Sequence, residues 1–179
     1  MNPFRRFFLA FCLSSIPAAA FGRSQGSDKS QKQNGDSERE AGQLLDRFHL
    51  AAANAQFADY ISCLSSDAIF LGTDATERWT VEQFKAFAKP HFDKGTGWTY
   101  RKAERHILVS TDGNHASFDE MLDNIPPKGK SGYGRCRGTG VLRRVDGEWK
   151  IEQYHLTIPI PNDLAKEVVK MIRDKEGKP

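Results

Sequence analysis

Residues 134–161 read GRCRGTGVLRRVDGEWKIEQYHLTIPIP. Two alternating runs flank Asp146-Gly147. Asp-Gly between such runs is a strong hairpin signal, because both residues tolerate the positive φ of a two-residue turn. That turn sets the register of predicted strands over 134–145 and 148–160. Leu142 then faces Ile151, Gly140 faces Gln153, Gly138 faces His155 and Cys136 faces Thr157. Trp149 and Ile151 mark this as the core face. Further from the turn, the same face gives up its apolar side chains. Small residues stand opposite polar ones, which leaves the room and hydrogen-bonding capacity a pocket needs. Gln153, His155 and Thr157 are therefore predicted to line a binding pocket.

A second hairpin lies upstream. Residues 100–109 and 115–122 alternate around Thr111-Asp112-Gly113-Asn114. A turn centred on Asp112-Gly113 sets Arg105 opposite Glu120, Ile107 opposite Phe118 and Ala103 opposite Leu122, on a mostly apolar face. The other face pairs His106 with Asp119 and Lys102 with Asp123. A bulge would exchange the two faces beyond it, so Asp119 and His106 stay as second candidates.

The rest of the chain supplies helices. Ser37 and Glu40 have the spacing of a capping box, and Leu44, Leu45, Phe48, Ala51, Ala52 and Ala55 follow on one helical face. A short helix is predicted over 57–64, and a strand over 68–71 ending at Gly72. Thr80 and Gln83 form another capping box, ahead of Phe84, Phe87, Ala88 and His91. Pro126, Pro127 and Gly129 mark the loop between the hairpins. After Pro161, Asn162 is predicted to cap a last helix reaching about Arg173. Helices, a strand, a helix and a run of antiparallel strands make an α+β layout, with helices on one face of a curved sheet.

Residues 1–20 read as a cleavable secretory signal. Arg5 and Arg6 precede an apolar run from Phe7 to Ile16, and Ala18 and Ala20 supply an A-x-A end. The run is too short to span a bilayer, which takes about 20 apolar residues, so no membrane association is expected after cleavage. The mature protein is then periplasmic or secreted. Residues 22–38 contain no aromatic or aliphatic side chain, and residues 21–38 are predicted to be a disordered leader. Residues 39–175 form one domain.

Removing Arg5 and Arg6 with the signal leaves 24 of the 26 Lys and Arg against 23 Asp and Glu. That balance excludes the strong basic excess of a general nucleic-acid binder. Cys63 and Cys136 are too few for a disulfide scaffold, and whether they pair stays open. The histidines, at 49, 91, 106, 115 and 155, are scattered, and no Cys/His spacing suits zinc, so no metal site is expected.

The segments Phe70-Leu71-Gly72-Thr73-Asp74, Glu77-Arg78-Trp79, Trp149-Lys150-Ile151 and His155 to Pro161 resemble the nuclear-transport-factor-2-like (NTF2-like) superfamily, and within it the SnoaL-like domains. The likeness runs over about residues 39–172. It implies an antiparallel sheet curved into a cone, with helices on its concave face, a small-molecule pocket inside and homodimerisation through the outer sheet face. Members include isomerases, dehydratases, polyketide cyclases, ligand-binding proteins and interaction modules, so the fold does not choose among activities. The acid and tyrosine constellation of the isomerases has no residue-by-residue match here, and none of its roles is carried over.

Three readings follow. The first is an exported small-molecule-binding domain in which Arg105, Glu120, Gln153, His155 and Thr157 contact the ligand. The second is a cofactor-independent isomerase, cyclase or dehydratase, with His155 as acid or base beside Glu120 or Asp119. The third is a dimeric interaction module. Export takes the pocket away from the cytoplasmic supply of nucleotide cofactors, so none is expected. Each candidate also has a structural reading. Arg105 and Glu120 suit a buried ion pair as well as a ligand grip. Asp74 and Glu77 suit helix-dipole partners. Trp79 and Trp98 suit either a pocket mouth or the core. Cys136 has no activating neighbour in this register. Arg135, Arg137, Arg143 and Arg144 read as a solvated strip.

Overall fold

The computed structural model describes residues 25–177. The expected signal, residues 1–20, lies outside the described residues. The elements run α1 (Gln25–Ala53), α2 (Phe57–Ser62), β1 (Leu64–Leu71), β2 (Arg78–Thr80), α3 (Val81–Phe92), β3 (Thr99–Val109), β4 (His115–Ile125), β5 (Arg135–Val145), β6 (Glu148–Thr157) and α4 (Ala165–Glu176). The six strands form one curved sheet in the order β2-β1-β6-β5-β4-β3. It is antiparallel except where β1 runs parallel to β6. The helices α1 and α3 pack on its concave face, which is the α+β cone expected.

The turn after β5 behaves as its residues predict. Asp146 and Gly147 both take positive φ, 52° and 84°, in a two-residue turn between β5 and β6. The β3–β4 loop is longer, over residues 111–114, but keeps the predicted register, with Arg105 opposite Glu120 and Ile107 opposite Phe118. Thr80 and Gln83 close a capping box on α3.

The face of α1 that carries Leu45, Phe48 and Ala52 is buried against the sheet's inner face, where Phe118, Leu122 and Ile151 meet it. Burial of such side chains contributes roughly 1.5–3 kcal/mol each.

Several boundaries differ from expectation. Residues 25–38, expected within a disordered leader, are helical. Lack of apolar side chains does not prevent helix formation, and the Gln and Lys residues and Glu38 of this stretch are good helix formers. Ser37 and Glu40 therefore lie inside α1 rather than capping it, and both side chains reach Arg144, at 3.3 and 2.7 Å. Asn162 does not cap α4, which starts after Leu164 with no side-chain cap. None of α4's residues is buried. No described helix is long and apolar enough to cross a membrane.

The largest difference lies in two bulges. Ala103 has no partner between Lys102–Leu122 and Glu104–Met121. Glu152 has none between Ile151–Leu142 and Gln153–Val141. Each extra residue flips the alternation beyond it. On β3 this turns Tyr100 and Lys102 inward, and Lys102 faces Leu122 where Ala103 was expected. On β6 it turns Tyr154 and Leu156 inward. Gln153, His155 and Thr157, predicted to line the pocket, face outward and pair with Val141, Thr139 and Arg137.

Candidate functional site

The interior is organised around Glu120, which is 0 % exposed. β4 presents it inward between Arg105 on β3 and Gly138 on β5. His49 Nε2 donates to Oε1 at 2.6 Å, and the Tyr154 hydroxyl donates to the same oxygen at 3.0 Å. Arg105 Nε donates to Oε2 at 2.8 Å. Its Nη2 lies 2.7 Å from that oxygen but is not aligned for a hydrogen bond. Arg105 Nη1 continues outward, to the Gly42 carbonyl at 3.0 Å and Asp46 at 2.7 Å. A chain of polar groups thus runs from the surface at Asp46 to the centre of the core.

Burial alone would push the Glu120 carboxyl up. His49 and Arg105 outweigh it and hold the pKa below the ordinary value. Tyr154 moves the opposite way, because burial and the adjacent carboxylate both oppose a phenolate. Both Glu120 oxygens are occupied, Oε1 by His49 and Tyr154 and Oε2 by Arg105. Gly138 makes room for this cluster: a Cβ there would collide with the Tyr154 hydroxyl and lie 3.0 Å from Glu120 Cγ.

Aromatic rings fill much of the rest. Phe48 stacks on Tyr60 at 4.4 Å, and Phe70 stacks on Phe84 at 4.0 Å. Space remains at the open end of the cone, in a pocket of about 200 Å³. Six rings line it: Phe70, Trp79, Phe87, Trp98, Tyr100 and Tyr133. Glu77 and Asn124 add polar groups. The pocket wall touches the buried cluster, since Phe70 lies 5.5 Å from the Tyr154 ring and Tyr100 lies 6.3 Å from His49. Burial raises the Tyr100 hydroxyl well above its usual pKa.

Local structure positions this lining. Trp98 Nε1 donates to the Tyr60 hydroxyl at 3.2 Å. Asn124 Oδ1 accepts from the Tyr133 N–H at 3.1 Å, and the Asn124 N–H donates to the Gly134 carbonyl at 2.8 Å. Those bonds tie the loop after β4 to the pocket. The turn over residues 72–77 folds the Glu77 carboxylate over Gly72, where a Cβ would collide with it.

Of the predicted residues, Arg105 and Glu120 come together as an ion pair, and Trp79 and Trp98 line the pocket mouth. His155 and Glu120 lie on opposite faces of the sheet. Asp119 shares the outer face with His155, but Thr139 stands between them. Asp119 is instead bonded to His106 at 3.1 Å. Asp74 accepts from Thr76 in the turn before β2. Cys63 and Cys136 are buried and free, and burial raises both thiols. The arginine strip is largely paired, Arg135 with Asp123, Arg143 with Asp67 and Arg144 with Glu40. Among the described residues no three His, Cys, Asp or Glu side chains converge as a metal site requires.

Sequence reasoning missed His49, Tyr100, Asn124, Tyr133 and Tyr154. A signal for His49 was available, because it lies four residues after Leu45 on the apolar face of α1. The two β-strand tyrosines had none, because a bulge leaves no mark in the alternation.

A family model for the SnoaL-like domain matches residues 42–161. No curated protein matches the chain. Among solved structures, an NTF2-like protein of unknown function from Pseudomonas putida KT2440 aligns with a TM-score of 0.60 at 17% identity, covering 72% of this chain and 91% of its own. A protein from Streptomyces avermitilis, described provisionally as a dehydratase of the NTF2-like family, aligns with a TM-score of 0.62 at 13% identity, covering 71% and 99%. An NTF2-like protein with a cystatin-like fold from Novosphingobium aromaticivorans aligns with a TM-score of 0.60 at 10% identity, covering 82% and 97%. At these identities the likeness is one of fold.

Proposed function

The chain belongs to the SnoaL-like domain family, and from that premise we propose that it binds a small molecule in the aromatic pocket at the open end of its cone. One observation carries this reading. Six rings from separate elements surround a space that no side chain fills, while the interior behind it is packed and hydrogen-bonded. Apolar concavities with a few placed polar groups are the usual form of ligand sites. The volume, about 200 Å³, lies below the roughly 300–1,000 Å³ of drug-sized sites. The ligand is therefore small. Export remains part of the proposal on the strength of residues 1–20. So does a homodimer through the outer sheet face, supported by the half-buried Ile69, Leu71, Met121 and Val141 on that face.

The neutral fluorophore N-phenyl-1-naphthylamine tests the binding reading. Its emission should rise saturably with the protein. Phe87→Ala, at a pocket residue 42 % exposed, should weaken binding several-fold, whereas His155→Ala should leave it unchanged. Absence of saturable binding would overturn the proposal.

A further inference from the structure

We propose that the ligand of this pocket is a small organic cation, a quaternary or protonated amine. The inference rests on the binding reading above and adds the ligand's charge. Two features of the pocket support it. The first is the lining. Trp79 comes from β2, Phe87 from α3, Trp98 from the segment before β3, Tyr100 from β3 itself and Tyr133 from the loop before β5. Trp79 and Phe87 stack on each other with centroids 4.5 Å apart, and the negative quadrupole potential of ring faces attracts a cation seated against them.

The second feature is charge. Glu77 is the one charged side chain among the lining residues, although the chain carries 26 Lys and Arg. Most acids near the sheet are paired: Asp46 with Lys102 and Arg105, Asp123 with Arg101 and Arg135, and Glu120 with Arg105. Among the described residues Glu77 belongs to no ion pair. Its Oε2 accepts only the Asp74 N–H, at 3.2 Å. Its position is fixed by the turn that seats it over Gly72, whose N–H donates to the Glu77 carbonyl at 2.9 Å. An anionic ligand would meet that carboxylate without a compensating cation in the lining. A neutral one would leave it unpaired at the rim. A cation pairs with it and lies against the rings.

Choline and its neutral carbon isostere 3,3-dimethylbutan-1-ol test the proposal on the full chain. The indole resonances of Trp79 and Trp98 and their fluorescence serve as the readout. Choline should bind at least about tenfold more tightly than the isostere, the range expected of cation–π contacts aided by a carboxylate. Glu77→Gln should remove most of that preference, with an unchanged far-ultraviolet circular dichroism spectrum and thermal melt showing that the variant is folded. Equal affinities for the two probes, or a preference that survives Glu77→Gln, would overturn the cation reading and leave the pocket standing. If neither choline nor the naphthylamine binds, both readings fail together.

Discussion

Glu120 bears most weight among single residues. Its neighbours His49 and Arg105 have buried side chains, so removing its charge takes the charged acceptor from His49 and leaves Arg105 with Asp46 as its one ion-pair partner among the described residues. Glu120→Gln should cost about 3–5 kcal/mol, the usual penalty for breaking a buried pair, measured by urea unfolding at neutral pH. The acid limb adds a second signature. A carboxylate with a depressed native pKa contributes stability above its unfolded value, about 4.3, and loses it as pH falls through the lower native value. Wild-type stability should therefore decline as pH drops below about 5, and the decline should be shallower in Glu120→Gln; equal slopes would show that Glu120 is not the titrating group. By contrast, His155→Ala should change stability by less than about 1 kcal/mol, because that ring lies half-buried on the outer face with no partner in the Glu120 cluster.

The elements show where sequence reading succeeds and where it stops. Asp146-Gly147 and the Thr80/Gln83 box carry local instructions that the backbone obeys, and Asp112-Gly113 gives the right register within a longer loop. The pairing of Arg105 with Glu120 follows from that register. The pocket lining was misplaced because Glu152 interrupts a register correctly read from Leu142–Ile151. Nothing in Ile151-Glu152-Gln153 distinguishes an extra residue from an alternating one. What selects the bulge is tertiary: Tyr154 gains a stack on Phe70 and a hydrogen bond to Glu120, which an inward Gln153 would not. Deleting Glu152 should therefore destabilise far more than Glu152→Ala, by several kcal/mol against less than one in thermal unfolding. Similar costs would mean that the strand can slide without penalty.

At the scale of the molecule, the sheet has two unlike faces. The inner one is closed by α1 and α3 except at the aromatic mouth. The outer one carries the row Leu71, His155, Thr139, Asp119 and His106, with Met121 and Val141 in the rows beside it. If two chains meet across that surface, sedimentation should give twice the chain mass, and Met121→Lys should halve it without lowering the melting temperature of the isolated domain by more than a few degrees. A wild-type monomer at micromolar concentration would sink the dimer.

The bulge at Glu152 has a consequence beyond this fold's geometry. From Gln153 onward β6 encodes two complete linings in alternate letters, Tyr154 and Leu156 in one and Gln153, His155 and Thr157 in the other. Which of them meets the cavity turns on the one extra residue at Glu152, held in place by the inward contacts of Tyr154. Loss of a single codon, with matching changes in α1, would exchange an oily chamber for a hydrophilic one. Point substitutions would need at least as many steps as there are side chains to replace. A one-residue deletion within this strand is thus a single step that would change several inward side chains at once.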